Sequence, residues 1–269
     1  MRCGLPRRAA GKNRIAMALF NDGPASSMED LQAHDTQLPE VANTEAIDVT
    51  RKLELAHEEM AVDLRVQLAR PGASAGLGGV GVPWLDHVVV TPPLKLWHTF
   101  RTLELVYRDA YRSQLNDRYA SKRDEYHSLA DWAREKLIQS GIGMTQDPVP
   151  QAQPPVLEPA PGAIAGGEYY VAVAWTNSAG EEGAASRPGT ITVNGGTFQA
   201  RPGAAPANAR GWNVYAGIGP KVLILQNTTV LRPDESWTQV NPVASIGRTA
   251  GAGQTPSHMR PAPRTLQRG

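Results

Sequence analysis

Apolar residues recur at every third or fourth position through most of the first half of the chain, and at every second position through much of the second half. The first pattern is clearest between residues 94 and 137. There Leu96, Phe100, Leu103, Tyr107, Ala110 and Tyr111, continued by Leu115, share one face of an α-helix. Tyr119, Tyr126, Leu129, Ala133 and Leu137 make the same stripe on a second helix, with Trp132 beside them. Pro92-Pro93 suits the opening of the first helix, where proline's missing amide costs little. Asn116-Asp117 offers a break and an N-cap for the second, and Gly141 and Gly143 offer its stop. Tyrosines and arginines share these faces, which suits a helix pair that packs inward and meets another macromolecule outward.

Upstream, Ser27 followed by Asp30 resembles a capping box for a short helix, MEDLQAHDTQL, which Pro39 ends. Asn43 or Thr44 caps a longer helix with Val49, Leu53, Ala56, Met60, Leu64 and Leu68 as its apolar stripe. The opposite face carries Glu45, Asp48, Glu54, Glu58, Glu59 and Asp63 and reads as a solvated acidic surface. Residues 71–81 form a glycine-rich loop. It lacks the Gly-Lys-Ser/Thr ending and the preceding buried strand of a phosphate-binding loop.

After Gly143 the text changes to MTQDPVPQAQPPVLEPAPG, which predicts a stiff, extended, proline-rich linker over 147–160. Beyond it, EYYVAVAW alternates with period two and ends in a turn at Asn177–Gly180. GTITV and GTFQA flank Asn194-Gly195-Gly196 and predict a hairpin. GWNVYAGI and KVLILQN flank Gly219-Pro220, and DESWTQ supplies a last strand. Short strands with turn chemistry between them predict a small β-sandwich whose core holds Trp175, Phe198, Trp212 and Trp237. The fold class is therefore α+β and multidomain: a basic arm (1–16), a helical domain (17–146), the linker, an all-β sandwich (161–246) and a second basic arm (247–269).

Composition narrows the function. A formal net charge of +1 on 269 residues excludes nucleic-acid binding by bulk charge. The single Cys3 allows no intramolecular disulfide, which fits folding in a reducing cytoplasm. No segment reaches the roughly 20 apolar residues of a membrane span. Arg7, Arg8, Lys12 and Arg14 make the N-terminal arm a candidate contact element, and Met17 is an alternative natural start. His57-Glu58-Glu59 lacks the second histidine four residues on that a helical zinc site needs, and no Gly-x-Ser-x-Gly elbow occurs. No catalytic, cofactor or metal residue is assigned, and the chain reads as a non-enzyme.

The strand pair YYVAVAWTNSAGEEGAAS and GWNVYAG resembles fibronectin type III-like (immunoglobulin-like) modules of phage structural proteins. MALFNDG, EDLQAHDTQLPEVANTEAIDVTRKLELAHEEM and LELVYRDAYRSQLNDRYASKRDEYHSLA resemble head–tail connector (adaptor, head-completion) proteins of tailed bacteriophages. The resemblance implies a structural virion protein at the neck, made in the host cytoplasm. It implies a homo-oligomeric ring of roughly twelve subunits beneath the portal protein, continuing the DNA channel. Tail, nozzle or tail-terminator proteins would attach there, and fibre or capsid proteins would meet the sandwich. Packaged DNA would pass through without sequence-specific binding, and no membrane is involved. On this reading Tyr107, Tyr111, Arg112, Tyr119, Arg123 and Tyr126 form the subunit interface, and Arg248, Arg260, Arg264 and Arg268 the portal-docking arm. The alternative is an oligomeric binding module whose sandwich recognises a glycan or a host receptor.

Overall fold

The computed structural model describes residues 18–69, 85–114, 117–251 and 253–260. Arg7, Arg8, Lys12, Arg14, Arg264, Arg268, Leu115, Cys3 and the 71–81 loop lie outside these residues. A helical region is followed by antiparallel β-sheets, as the periodicity predicts.

Five helices build the first region. The first, α1 (Met28–His34), opens with the expected capping box: the Ser27 amide donates to Asp30 Oδ2 at 2.8 Å, and the Asp30 amide to Ser27 Oγ at 3.4 Å. The helix ends at Asp35, and Pro39 does not terminate it. Pro39 instead sits in the first turn of a separate helix, α2 (Leu38–Thr44), where no intrahelical donor is lost. The long helix α3 (Val49–Leu68) is capped by Asp48, which accepts from the Arg51 amide at 3.0 Å. Asn43 and Thr44 belong to α2, and Ala46, at φ 52°, lies in the break between α2 and α3. The α3 stripe from Val49 to Leu68 is buried as its spacing predicts.

Helix α4 (Pro92–Gln114) is the central element, lying between α3 and α5 (Ala120–Ser140). Burial extends beyond a single stripe, to Leu94, Trp97, His98, Leu105 and Val106. Asp117 opens a 3-10 turn before α5 and does not cap it. Gly141, at φ 99°, ends α5. Gly143 lies inside a strand, β1 (Ile142–Met144).

The second region has seven strands in two sheets. They are β2 (Val156–Ala160), β3 (Gly167–Thr176), β4 (Gly189–Val193), β5 (Thr197–Arg201), β6 (Gly211–Gly217), β7 (Ile224–Leu225) and β8 (Trp237–Thr238). One sheet has the order β2–β5–β8 and the other β4–β3–β6–β7, all antiparallel. Val171, Val173 and Trp175 of β3 pack with Trp212, Val214 and Ala216 of β6 against Phe198 and Ala200 of β5. Trp237 is half-buried and meets Phe198 edge-on at 6.1 Å. Two expectations are corrected here. Residues 156–160 are strand β2 and no part of a linker, with Val149 and Ala152 already in the sandwich core. GTITV and GTFQA do not pair with each other. Gly195 and Gly196, at φ 114° and 87°, carry the chain from one sheet to the other, and a Cβ on Gly196 would meet Ala160 O at 2.7 Å.

The chain then returns to the helices. Strand β9 (Ser257–Met259) pairs antiparallel with β1, setting Met144 opposite Ser257. Val88 bridges Met144 and Val89 bridges Leu19, so β9, β1, Val88–Val89 and Leu19 lie side by side. Met259 joins the helical core. Residues 248–251 and 253–259 are thus docked along the molecule, where a free arm was expected.

Candidate functional site

The structure turns half of the expected subunit interface inward. Tyr107, Tyr119 and Tyr126 are buried. The hydroxyls of Tyr107 and Tyr126 both donate to Oδ2 of buried Asp35, at 2.7 and 2.8 Å, and their rings stack 5.5 Å apart. Burial raises both phenol pKa values, and the Asp35 carboxylate adds to the effect. Tyr119 donates to Glu45 Oε1 at 3.0 Å. These groups hold α1, α2, α4 and α5 together. Tyr111, Arg112 and Arg123 stay at the surface, with the Arg123 guanidinium 4.5 Å over the half-buried Tyr111 ring. A cavity of about 280 Å³ beside this cluster is lined by Gln37, Glu40, Thr44, Arg118 and Lys122 together with Tyr107 and Tyr119.

A serine–histidine contact lies deeper. The fully buried His98 faces the Leu53 carbonyl through Nε2 at 3.1 Å and Ser26 Oγ through Nδ1 at 2.6 Å. A carbonyl only accepts, so Nε2 carries the proton and Nδ1 accepts from the serine hydroxyl. Burial brings the His98 pKa down to about 4. His57, its ring 4.0 Å from that of Phe20, is lowered by burial too. Ser26 and His98 are both buried, and the pair ties the α1 entry to α3 and α4.

The densest polar cluster outside the helices surrounds the NSAGEEG turn. Glu182, 3 % exposed, accepts from Asn213 Nδ2 at 2.8 Å and from the Tyr215 hydroxyl at 2.6 Å. Arg248, one of the expected docking residues, is its ion-pair partner at 3.2 Å. Arg248 therefore pins the return segment onto the outer face of the β6 sheet, while Arg260 is exposed. A Cβ on Gly183 would sit 2.6 Å from Val149 O, so that glycine admits the incoming chain. Buried Gln254 accepts from the Val149 amide at 2.8 Å and donates to Asp147 O at 2.7 Å and Thr145 Oγ1 at 3.3 Å. Asp22 accepts from the Gln151 amide at 2.8 Å, which links the helical region to the start of the sandwich. Sequence reasoning missed Asp35, Glu182 and Gln254. Glu182 stood inside a quoted motif, but nothing in the motif shows which carboxylate turns inward.

The most apolar cavity described is a groove of about 510 Å³ between the β6–β7 loop and residues 243–245, lined by Ile218, Pro220, Val222, Ile224 and Val243. Ile218 and nearby Ile246 are 84 % and 90 % exposed. Among the described residues, no group of three or more His, Cys, Asp or Glu side chains could hold a metal ion, and no helix is long and apolar enough to cross a membrane. Comparison with protein-family models, curated proteins and solved structures returns no match to this chain.

Proposed function

We propose that this chain is a structural subunit of the head–tail connector of a tailed bacteriophage, a ring component docked beneath the portal protein. The observation that carries the reading is the segregation of charge. Eight of the 27 Lys and Arg lie in residues 1–17 and 260–269, where no acid occurs. Residues 18–259 therefore hold 19 cations against 26 acids, a net −7. Both basic ends leave from the same small sheet, at Ala18, whose carbonyl accepts from the Val90 amide, and at β9. A ring interface joins two different patches of the same chain, and opposite charge on the two patches favours that pairing over like-to-like contact.

The sandwich agrees with a fibronectin type III-like module. The orders β4–β3–β6–β7 on one sheet and β2–β5–β8 on the other support that reading, since a C′-C-F-G sheet over a B-E sheet would have the first order and the β2–β5 pair. Such a module would meet tail, fibre or capsid proteins. A second reading, an oligomeric receptor-binding module, draws on the apolar groove by Ile218, which suits a protein ligand. A glycan platform is less well served, since Trp175, Phe198 and Trp212 are all buried.

The test is the mass of the purified protein in solution, alone and mixed with portal protein. A closed ring formed with portal, weakened by Arg260→Glu, Arg264→Glu and Arg268→Glu together, is the expected result. A species indifferent to portal at low salt overturns the connector reading.

A further inference from the structure

We infer that the sandwich is a self-contained insertion at the tip of a β-hairpin of the helical half, and that the helical half alone carries whatever assembly the two ends drive. The second statement rests on the connector reading; the first does not.

The geometry of β1 and β9 carries the argument. Met144 and Ser257 face each other on neighbouring antiparallel strands, the place where a hairpin would turn. Facing Cα atoms in such a pair are about 5 Å apart, which two turn residues span. All of residues 145–256, the whole sandwich included, leave and re-enter at that point. The socket for β9 belongs to the helical half. A Cβ on Gly143 would lie 2.5 Å from Thr91 Cγ2 and 3.1 Å from Pro256 Cβ, and one on Gly141 would lie 3.1 Å from Met259 O. These two glycines let the return strand approach closely.

The cores are separate. The helical cluster is built from residues 20–144 and Met259, and the sandwich cluster from residues 149–243, with no shared member. Direct hydrogen bonds across the junction lie outside both cores: the Gln151 amide donates to Asp22, the Thr145 amide donates to the His87 carbonyl at 2.9 Å, and His87 Nδ1 meets the Thr145 carbonyl at 2.8 Å. A body with its own core and adjacent entry and exit points folds as a unit and can be inserted into another. The basic ends leave on the strands of the helical half, and that half (residues 18–144 and 257–259) holds 19 acids against 13 Lys and Arg, whereas residues 145–256 hold 7 against 6, so the charge complementary to the ends lies on the helical half.

Amide hydrogen exchange on the full chain carrying Trp212→Ala tests the first statement. Sandwich amides should lose protection by at least tenfold, while those of α3, α4, α5, β1 and β9 stay within twofold of the parent chain. Parallel loss in both halves overturns the inference, whether or not the sandwich remains folded. A second chain, with residues 145–256 replaced by Asn-Gly, should keep a cooperative helical melt. It should also reach the same oligomeric state, with the same salt dependence, as the full chain. If the shortened chain folds but does not assemble while the full chain does, the division of labour fails and the insertion stands. If neither assembles, it is the connector reading that fails.

Discussion

In the helical half, buried polar side chains satisfy one another across helix contacts, whereas in the sandwich they mostly hold loops and the returning chain. Asp35 gathers two tyrosines from α4 and α5, His98 joins Ser26 to the Leu53 carbonyl, and Glu104 meets Arg101 and His127. Glu182, Asn177 and Gln254 do a different task. They fasten the 177–183 turn, the incoming residues 145–150 and the outgoing residues 248–256. A helix satisfies its own backbone and needs side chains to fix its neighbours, while a sheet fixes its neighbours through backbone pairing. The halves should therefore fail under different perturbations.

The largest expected effect is in the sandwich core. Trp212 is fully buried beside Trp175, its cross-strand partner. Trp212→Ala should cost about 4 kcal/mol by lost burial and cavity formation. Its near-ultraviolet signal should collapse at a lower denaturant concentration while the helical far-ultraviolet signal keeps its midpoint.

Acid should strike the other half. All six histidines lie outside residues 128–257, and burial holds His98 neutral in the folded state. Its folded pKa, about 4, lies below the ordinary 6.5, so the unfolded chain takes up the proton first as pH falls. The stability is complete above pH 6.5 and declines down to about 4, by up to about 3 kcal/mol. His57 works in the same direction. Asp22, whose carboxyl burial holds above 3.8, works in the opposite direction near the acid end of that range. Urea midpoints of the helical signal measured between pH 7 and 4.5 should fall in the parent chain and flatten in His98→Gln.

Removing Asp35 should rank next. Asp35→Ala leaves two buried phenol hydroxyls without their acceptor and should cost about 2 kcal/mol in the helical half. Tyr107→Phe with Tyr126→Phe in the same chain should recover part of that loss, as a thermal melt would show.

How legible each half was follows from the same contrast. The stripes of α3, α4 and α5 were readable because helical spacing marks which side faces the core. Spacing did not distinguish an inward tyrosine from an outward one. Tyr107 and Tyr126 lie on the buried stripe, and their hydroxyls end on Asp35 in the interior, a partner 72 and 91 residues away that spacing does not announce. The strands were readable, but strand pairing was not. The Asn194-Gly195-Gly196 signal marks a reversal and is silent on whether the reversal stays within one sheet. Proline density disguised β2, because Pro155 and Pro159 are compatible with an edge strand that needs few amide donors. The docking of residues 248–259 rests on Arg248 meeting Glu182 and on β9 meeting β1, pairings over 66 and more than 100 residues that no local pattern announces.

The smallest expected effect separates stability from recognition. Ile218, which lines the apolar groove of the sandwich, and Ile246, next in sequence to its lining residue Ser245, stand 84 % and 90 % exposed, so little burial is lost when they are replaced. Ile218→Ser with Ile246→Ser should change stability by less than about 0.5 kcal/mol. An exposed apolar groove of this kind, on a module fastened at both ends, is the surface from which a partner would gain most by burial. The double variant should therefore melt with the parent chain yet, on the connector reading, be retained less by a partner of the sandwich in a pull-down. A lowered melting temperature would show that these isoleucines support the fold, and would move the search for the partner surface to Tyr111, Arg112 and Arg123 on the helical half.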